Sequence, residues 1–534
     1  MYSSKENVNI LTALLVAHGV RHAVVCPGSR NSAIVHNLNE CPDITCYPVT
    51  DERSAGFYAL GMTQALQLPV VVCVTSGTAL LNLAPAVAEA YYQHRPLVVV
   101  SADRPAAWID QLDGQTLPQP DALGRFVGKA VSLPEPHDAD SRWYCNRLVN
   151  EALVACRRAP VHINVPITEP LFDYTQPSLP KERKIELVPA DIPPHTLNHV
   201  IRMFMQSERP MLIAGQPMNP NLDEAVSLVQ DDDSYVPDFV LYIGDSIVSK
   251  RVKHFLRKAR QTWAVNWTGE VNDTFQNLTL VIQGDGDVVA DQIRFMLEQT
   301  AHPFVQKWDE LLARVRKHRD NYTPAYSQMS TVRYLHQQLP LLLERAGGEA
   351  SLLERAGGEA PRAGGEASHF ANSTAIRLAN IYAFPNVYCN RGVNGIEGSL
   401  STAAGFSCVT DEPVICVIGD LSFFYDQNAL WNQNLRGNLR ILLMNNSRGG
   451  IFNMLQGLEQ SPACDRFVAA EHHTTAEGIC QQNNIVYLKA ANASEMQQGI
   501  NQLLQTDSPR PILLEVFTDA AEDARVLRDY LRSL

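Results

Sequence analysis

No Cys-x-x-Cys pair occurs among the eleven scattered cysteines of this 534-residue chain, which speaks for incidental thiols in a reducing cytosol and against a disulfide framework. No apolar run reaches the ~18 residues of a membrane span. Met1-Tyr2-Ser3-Ser4-Lys5-Glu6 leads straight into an amphipathic helical pattern, with no secretory leader. A soluble, cytoplasmic protein is expected. Positive charge is scarce: 44 Lys and Arg against 57 Asp and Glu leave a net charge of −13, which argues against nucleic acid or an anionic membrane as the main partner. Any anion site must then be a local cluster of Arg or Lys. Composition is otherwise ordinary, 45% hydrophobic and 19% charged, so a large core can be buried. At roughly 150 residues per domain the length allows three or four domains, and three are expected.

What is present is concentrated between Pro413 and Phe452. Val414-Ile415-Cys416-Val417-Ile418-Gly419-Asp420 is an apolar run closed by a turn, as a parallel strand buried on both faces would be. Leu439-Arg440-Ile441-Leu442-Leu443-Met444-Asn445-Asn446 ends the same way, and Ala429, Leu430, Trp431 and Leu435 between them are spaced for a helix. This β-α-β pattern places Asp420 and Asn446, 446 − 420 = 26 residues apart, at neighbouring strand tips, where open parallel sheets bind ligands. A carboxylate, an amide oxygen and a following carbonyl suit magnesium bridging to a diphosphate. Alone, Gly419-Asp420 could equally be an ordinary turn.

Upstream, strand-like runs end in Pro27-Gly28-Ser29-Arg30, Thr50-Asp51-Glu52-Arg53, Thr75-Ser76-Gly77-Thr78-Ala79 and Ala102-Asp103-Arg104-Pro105. Glu52 opens a helix, where a carboxylate also simply complements the positive N-terminus. The ordered set resembles the pyrimidine-binding domain of thiamine-diphosphate-dependent enzymes. Gly419-Asp420 with Asn445-Asn446 resembles that family's diphosphate anchor. The resemblance implies a thiamine-diphosphate-binding fold of three consecutive α/β domains with mainly parallel sheets. Their expected extents are 1–180 for the pyrimidine-binding domain, 195–325 for the middle domain and 369–534 for the diphosphate-binding domain. Residues 340–368 form a linker, because Leu342–Ala350 recurs as Leu352–Ala360 and again in part at Arg362–Ala367. It further implies that Glu52 is the activating acid, donating to the aminopyrimidine ring so that the thiazolium carbon can lose its proton. Thr78, Gly419, Leu421, Ser422, Ile396 and Ile451 would complete the cofactor site. Asp420, Asn446 and the carbonyl of Arg448, or alternatively of Gly449, would hold Mg²⁺ or Mn²⁺.

The cofactor leaves the reaction open. The span Asp103–Asp121 has no histidine, unlike the family's simple decarboxylases, and His472-His473 falls in a polar segment expected at the surface. Cations instead stand on the motif loops: Arg30, Arg104, Lys250-Arg251, Arg377 and Arg391. Guanidinium forks match carboxylates, so substrates with several carboxylates are predicted. Asn372-Ser373-x-x-x-Arg377, Asn390-Arg391-Gly392-x-x-Gly395-Ile396-Glu397-Gly398 and Ser401-Thr402-Ala403-Ala404-Gly405 resemble the menaquinone-pathway carboligases of the family, whose substrates are 2-oxoglutarate and isochorismate. That implies Ser373, Arg377 and Arg391 on the succinyl side, and Ser29, Arg30, Arg104, Gln115, Lys250 and Arg251 on the isochorismate side. Ile396 either props the cofactor or packs in the core. Ile451, Phe452 and Leu455 either wall the site or face a helix core. Homodimers or tetramers with sites shared between subunits are implied. The rival readings are an acetohydroxyacid-synthase-like or oxalyl-type carboligase and a non-catalytic relative.

Overall fold

The apolar runs Val70–Val74, Phe239–Ile243 and Val414–Gly419 become inner strands of three separate parallel sheets. Every residue of the first two is buried, as strands covered by helices on both faces require. The computed structural model describes residues 1–187, 191–215, 220–244, 246–345, 367–454 and 457–534. The first sheet holds β1 (His22–Val25), β2 (Thr45–Pro48), β3 (Val70–Val74), β4 (Leu97–Asp103), β5 (Lys129–Ser132) and β6 (Val161–Pro166), in the order β2-β1-β3-β4-β6-β5. The middle sheet holds β7 (Pro210–Ala214), β8 (Phe239–Ile243), β9 (Gln261–Asn266) and β10 (Leu278–Gln283), in the order β10-β9-β8-β7. The third holds β11 (Ala367–Phe370), β12 (Val387–Tyr388), β13 (Val414–Gly419), β14 (Leu439–Asn445), β15 (Val486–Ala490) and β16 (Ile512–Phe517), in the order β12-β11-β13-β14-β16-β15. The first and third sheets thus repeat one topology. Equivalent sets of loops emerge at their carboxyl edges.

A single apolar core runs through both of these domains. The helix Glu52–Leu66 of the first lies against the helix Ser399–Cys408 of the third. A Cβ on Gly61 would stand 1.9 Å from the Thr402 carbonyl oxygen, and one on Gly405 2.1 Å from that of Tyr58. Only glycine lets two backbones approach so closely. In the middle domain the acidic Asp231–Asp233 piece leads into a short 3-10 turn, Asp233–Tyr235, and β7 pairs directly with β8.

Two expectations change. The helix predicted across Ala429–Leu435 does not form; the crossover is the short helix Asp420–Tyr425 followed by a 3-10 turn, Gln427–Leu430. The Asn432 side chain accepts the Asn434 N–H, an alternative partner that competes with helix. The expected linker lies outside the described residues over 346–366. The helix Gln328–Arg345 takes in the first residues expected to be linker, and it packs Met329, Val332, Leu335 and Leu339 against Phe370 and Ile376. The core of the third sheet therefore begins before the expected boundary at His369. Among the described residues no helix is long and apolar enough to cross a membrane.

Candidate active site

The register of β13 on β14 sets Gly419 opposite Met444, so Asp420 and Asn445-Asn446 leave the sheet side by side. Asp420 is 3% exposed. Its Oδ1 accepts the Leu421 N–H at 2.7 Å, and its Oδ2 accepts those of Asn446 and Arg448 at 3.1 and 3.2 Å. Burial pushes this carboxyl above its ordinary range, opposed by the N–H groups and by His472. The Asn446 amide nitrogen donates to Asp523 at 3.0 Å, which fixes the orientation of the amide. Ser447 adopts a left-handed backbone, φ 64°, and so turns Arg448 back toward Asp420. Buried carboxylate, amide oxygen and turn carbonyl form a hard-oxygen donor set that fits Mg²⁺ or Mn²⁺. Among the described residues, no group of three or more His, Cys, Asp and Glu side chains is placed to hold a metal ion.

His473 is exposed as expected, but His472 is not. Its Nε2 lies 3.4 Å from Asp420 Oδ2. Its Nδ1 accepts the Thr474 N–H at 3.1 Å, so the proton of the neutral ring sits on Nε2, facing the carboxylate. The segment is fastened to the Asn446 turn: His472 N–H donates to the Ser447 carbonyl, Gly449 N–H to that of Ala469, and the Asn445 side chain to that of Thr474. These are long-range backbone contacts, and no local pattern announces them.

Glu52 begins its helix behind an Asp51 cap, whose carboxylate accepts the Ser54 N–H at 3.2 Å. Glu52 itself accepts from Asn82 at 3.2 Å. Its neighbours hold the third domain: Asp51 accepts from Asn428 at 2.7 Å, and Arg53 donates to the Tyr425 carbonyl at 2.9 Å and lies over that ring. Those anchors sit at and beyond the far end of the helix that Asp420 opens, about 9 Å along its axis. No hydrogen bond or ion pair joins Glu52 to Asp420 among the described residues.

The first domain's motif loops converge. A Cβ on Gly28 would stand 2.4 Å from Thr75 Cβ, which seats the Ser29-Arg30 loop on the turn before Thr78. Arg30 is buried, donates to the Ile167 carbonyl at 3.0 Å and pairs with Glu169 at 3.5 Å. Burial and then the charge of Arg104 lower its pKa, so the two cations are neighbours. Arg104 pairs with Asp113 at 3.1 Å. Ser29, Thr78 and Gln115 are exposed. Gln119, missed by sequence reading, is fully buried; its oxygen accepts the Gly77 N–H at 2.7 Å and its nitrogen donates to Ala102 and Asn164. Nothing in its proline-rich surroundings signals that role.

In the third domain Ser373 takes φ 77°, ψ −126°, a sparsely populated backbone for a non-glycine residue. Asn372 beside it accepts from Arg391 at 3.1 Å. Ser246 of the middle domain donates to the Arg391 carbonyl at 3.2 Å. Burial, and next the nearby cation of Arg391, lower the Lys253 pKa, which places the helix Lys250–Leu256 toward Arg391. Arg251 donates to the Asp223 carbonyl at 3.4 Å, while Lys250 and Arg377 are exposed. Ile396 is 44% exposed, so it does not pack in the core of the chain, and Ser422 donates to its carbonyl at 2.5 Å. Leu421, Ile451 and Phe452 are half-buried, the last two in the turn Gly450–Met454. Leu455 lies outside the described residues.

Two family models match the chain: "Thiamine pyrophosphate enzyme, N-terminal TPP binding domain" over residues 6–123, and "Thiamine pyrophosphate enzyme, C-terminal TPP binding domain" over 371–517. The chain is 42% identical to the 2-succinyl-5-enolpyruvyl-6-hydroxy-3-cyclohexene-1-carboxylate synthase of Bacteroides fragilis, over 100% of both chains. It is 40% identical to that of Phocaeicola vulgatus, over 100% of this chain and 99% of the relative, and 31% identical to that of Porphyromonas gingivalis, over 99% and 97%. An X-ray structure of a protein described as a thiamin diphosphate-dependent enzyme, isolated from Mycobacterium smegmatis, aligns with a TM-score of 0.65 at 14% identity, covering 96% of this chain and 100% of that one. At that identity the last match speaks for the fold alone.

Proposed function

The chain belongs to the family of 2-succinyl-5-enolpyruvyl-6-hydroxy-3-cyclohexene-1-carboxylate synthases, which use thiamine diphosphate, and from that premise we propose how its residues do the work. The enzyme is a decarboxylating carboligase of menaquinone biosynthesis. It joins the four-carbon remainder of 2-oxoglutarate to isochorismate by conjugate addition and releases carbon dioxide. Thiamine diphosphate, when bound, supplies the electron sink that decarboxylation of a 2-oxoacid requires.

The observation that carries the site assignment is the joining of Asp420 to the Asn446 turn, two oxygen ligands 26 residues apart in sequence. Asp420, Asn446 and the Arg448 carbonyl would hold Mg²⁺ or Mn²⁺ against the diphosphate, with Gly419, Leu421 and Ser422 beside it. Thr78 and Ile451 would contact the rest of the cofactor, and the exposed Ile396, tethered by Ser422, would prop it. Glu52 would hold its carboxyl proton at the aminopyrimidine nitrogen. Arg391, Arg377 and Ser373 would bind the succinyl carboxylate. Arg30, Arg104, Ser29, Gln115, Lys250 and Arg251 would receive isochorismate, and Phe452 would exclude water from the apolar wall. As the family resemblance implies, the working site would pair Glu52 of one subunit with Asp420 of another, in a cytoplasmic dimer or dimer of dimers. Exposed Ile396, Val393, Tyr425 and Trp431 supply apolar surface for that contact.

The test is isochorismate consumption, followed spectroscopically with 2-oxoglutarate, thiamine diphosphate and Mg²⁺, each omitted in turn. Consumption that needs all three is expected. Carbon dioxide release from pyruvate or 2-oxoglutarate without isochorismate loss would overturn the assignment of the acceptor.

A further inference from the structure

We propose that Glu89, in the first domain, is a positioning residue for the substrate carboxylate, acting through the third-domain loop that carries Arg391. This rests on the assignment of Arg391 to the succinyl side made above. Glu89 lies on the helix Ala84–Tyr92 and is 2% exposed. Its Oε1 accepts the Gly392 N–H and its Oε2 the Val393 N–H, each at 2.7 Å. Two successive amides are thus captured by one carboxylate from another domain, and hydrogen bonds to an ionised acceptor are the strong kind. Gln93, which caps the end of that helix, steadies the acid by donating to its Oε1 at 2.5 Å. Gln93 accepts in turn from Gln64, at 2.8 Å, on the helix that Glu52 begins.

The fit is tight on the loop side as well. A Cβ on Gly392 would stand 2.9 Å from both the Glu89 carbonyl oxygen and Tyr92 Cβ, so glycine is what lets the loop settle on the helix. From the third domain, Asn372 donates to the carbonyls of Asn390 and Gly395, each at 2.7 Å, while accepting from the Arg391 guanidinium. From the middle domain, Ser246 donates to the Arg391 carbonyl. All three domains therefore meet on residues 390–395. The Arg391 Nε stays buried and unpartnered among the described residues, which leaves a donor for a ligand. Only a carboxylate meets two converging N–H donors with two acceptors; a glutamine would turn an N–H toward one of them.

The experiment is a double-mutant cycle on the full-length enzyme with thiamine diphosphate and Mg²⁺, using Glu89→Gln, Arg391→Ala and the pair. KM for 2-oxoglutarate, KM for isochorismate and kcat are measured, together with the thiamine diphosphate dissociation constant by calorimetry. Expected are rises of about tenfold or more in KM for 2-oxoglutarate in each single variant and no further rise in the double, with the other three constants of Glu89→Gln within about twofold of wild type. Additive effects, or a wild-type KM in Glu89→Gln, would overturn the proposal and leave the Arg391 assignment standing. A wild-type KM in Arg391→Ala would overturn that assignment and the proposal with it. Gly392→Ala disturbs the same contact from the loop and serves if Glu89→Gln does not fold; it should raise the same KM, and an unchanged value would also overturn the proposal.

Discussion

Glu52 sits at a helix start, half-buried and bonded only to the neutral amide of Asn82 among the described residues, a place from which its carboxyl can reach outward. Glu52→Gln should lower kcat by about 10²- to 10⁴-fold, the usual worth of a positioned acid or base, while calorimetry still detects thiamine diphosphate binding. Asp420→Ala removes the acceptor of three backbone N–H groups as well as the proposed metal oxygen. It should abolish the rise in melting temperature that Mg²⁺ with thiamine diphosphate gives the wild type, since a ligand stabilises only the state that binds it. A third residue reports on pH. Glu224 is 3% exposed on the helix Leu222–Val229, its Oε1 is unpartnered among the described residues, and burial pushes its carboxyl from 4.5 to about 7. The folded chain thus keeps a proton that the unfolded chain releases, so stability falls as pH rises from about 4.5 to 7 and stays lowered above that. Glu224→Gln should remove that loss, about 3 kcal/mol. Urea midpoints at pH 5 and pH 8 would then lie closer together than in the wild type.

Between elements, the contact that organises the molecule is the crossing of the helices Glu52–Leu66 and Ser399–Cys408. Gly61 and Gly405 stand where side chains would strike opposing backbone. An alanine in a helix normally gains about 1 kcal/mol over glycine. Here the clash should outweigh that gain, because backbone cannot swing aside as a side chain can. Gly405→Ala is expected to lower the unfolding temperature and to reduce kcat, since the displaced helix begins at Glu52; a raised melting temperature would refute this crossing. The same scale explains where helix periodicity misled. Ala429, Leu430 and Leu435 are buried as their spacing requires, but asparagine side chains bond locally and break the helix into turns.

For the whole molecule the question is which chain completes which site. Mixing inactive Glu52→Gln and Asp420→Ala proteins, unfolded and refolded together, should restore about one quarter of wild-type activity. Half the dimers are then hybrids, each with one site built from two intact halves. Restoration of nothing would place Glu52 and Asp420 of one chain in one site.

The sequence by itself determined the strands, since runs such as Val70–Val74 and Val414–Gly419 can be stable only when buried on both faces. It also marked out candidate site residues on the motif loops and helix starts that follow them, because the proposed chemistry needs particular side chains there: Glu52, Asp420 and Asn446. What only the tertiary structure decided are the partners of those residues. His472 meets Asp420, Gln119 holds the turn at Gly77, and Glu89 grips the Arg391 loop from 303 residues away. Each depends on backbone groups brought together by sheet order and by the glycine-mediated helix crossing. A carboxylate that accepts two main-chain N–H groups leaves no periodicity, composition or spacing by which a linear reading could find it.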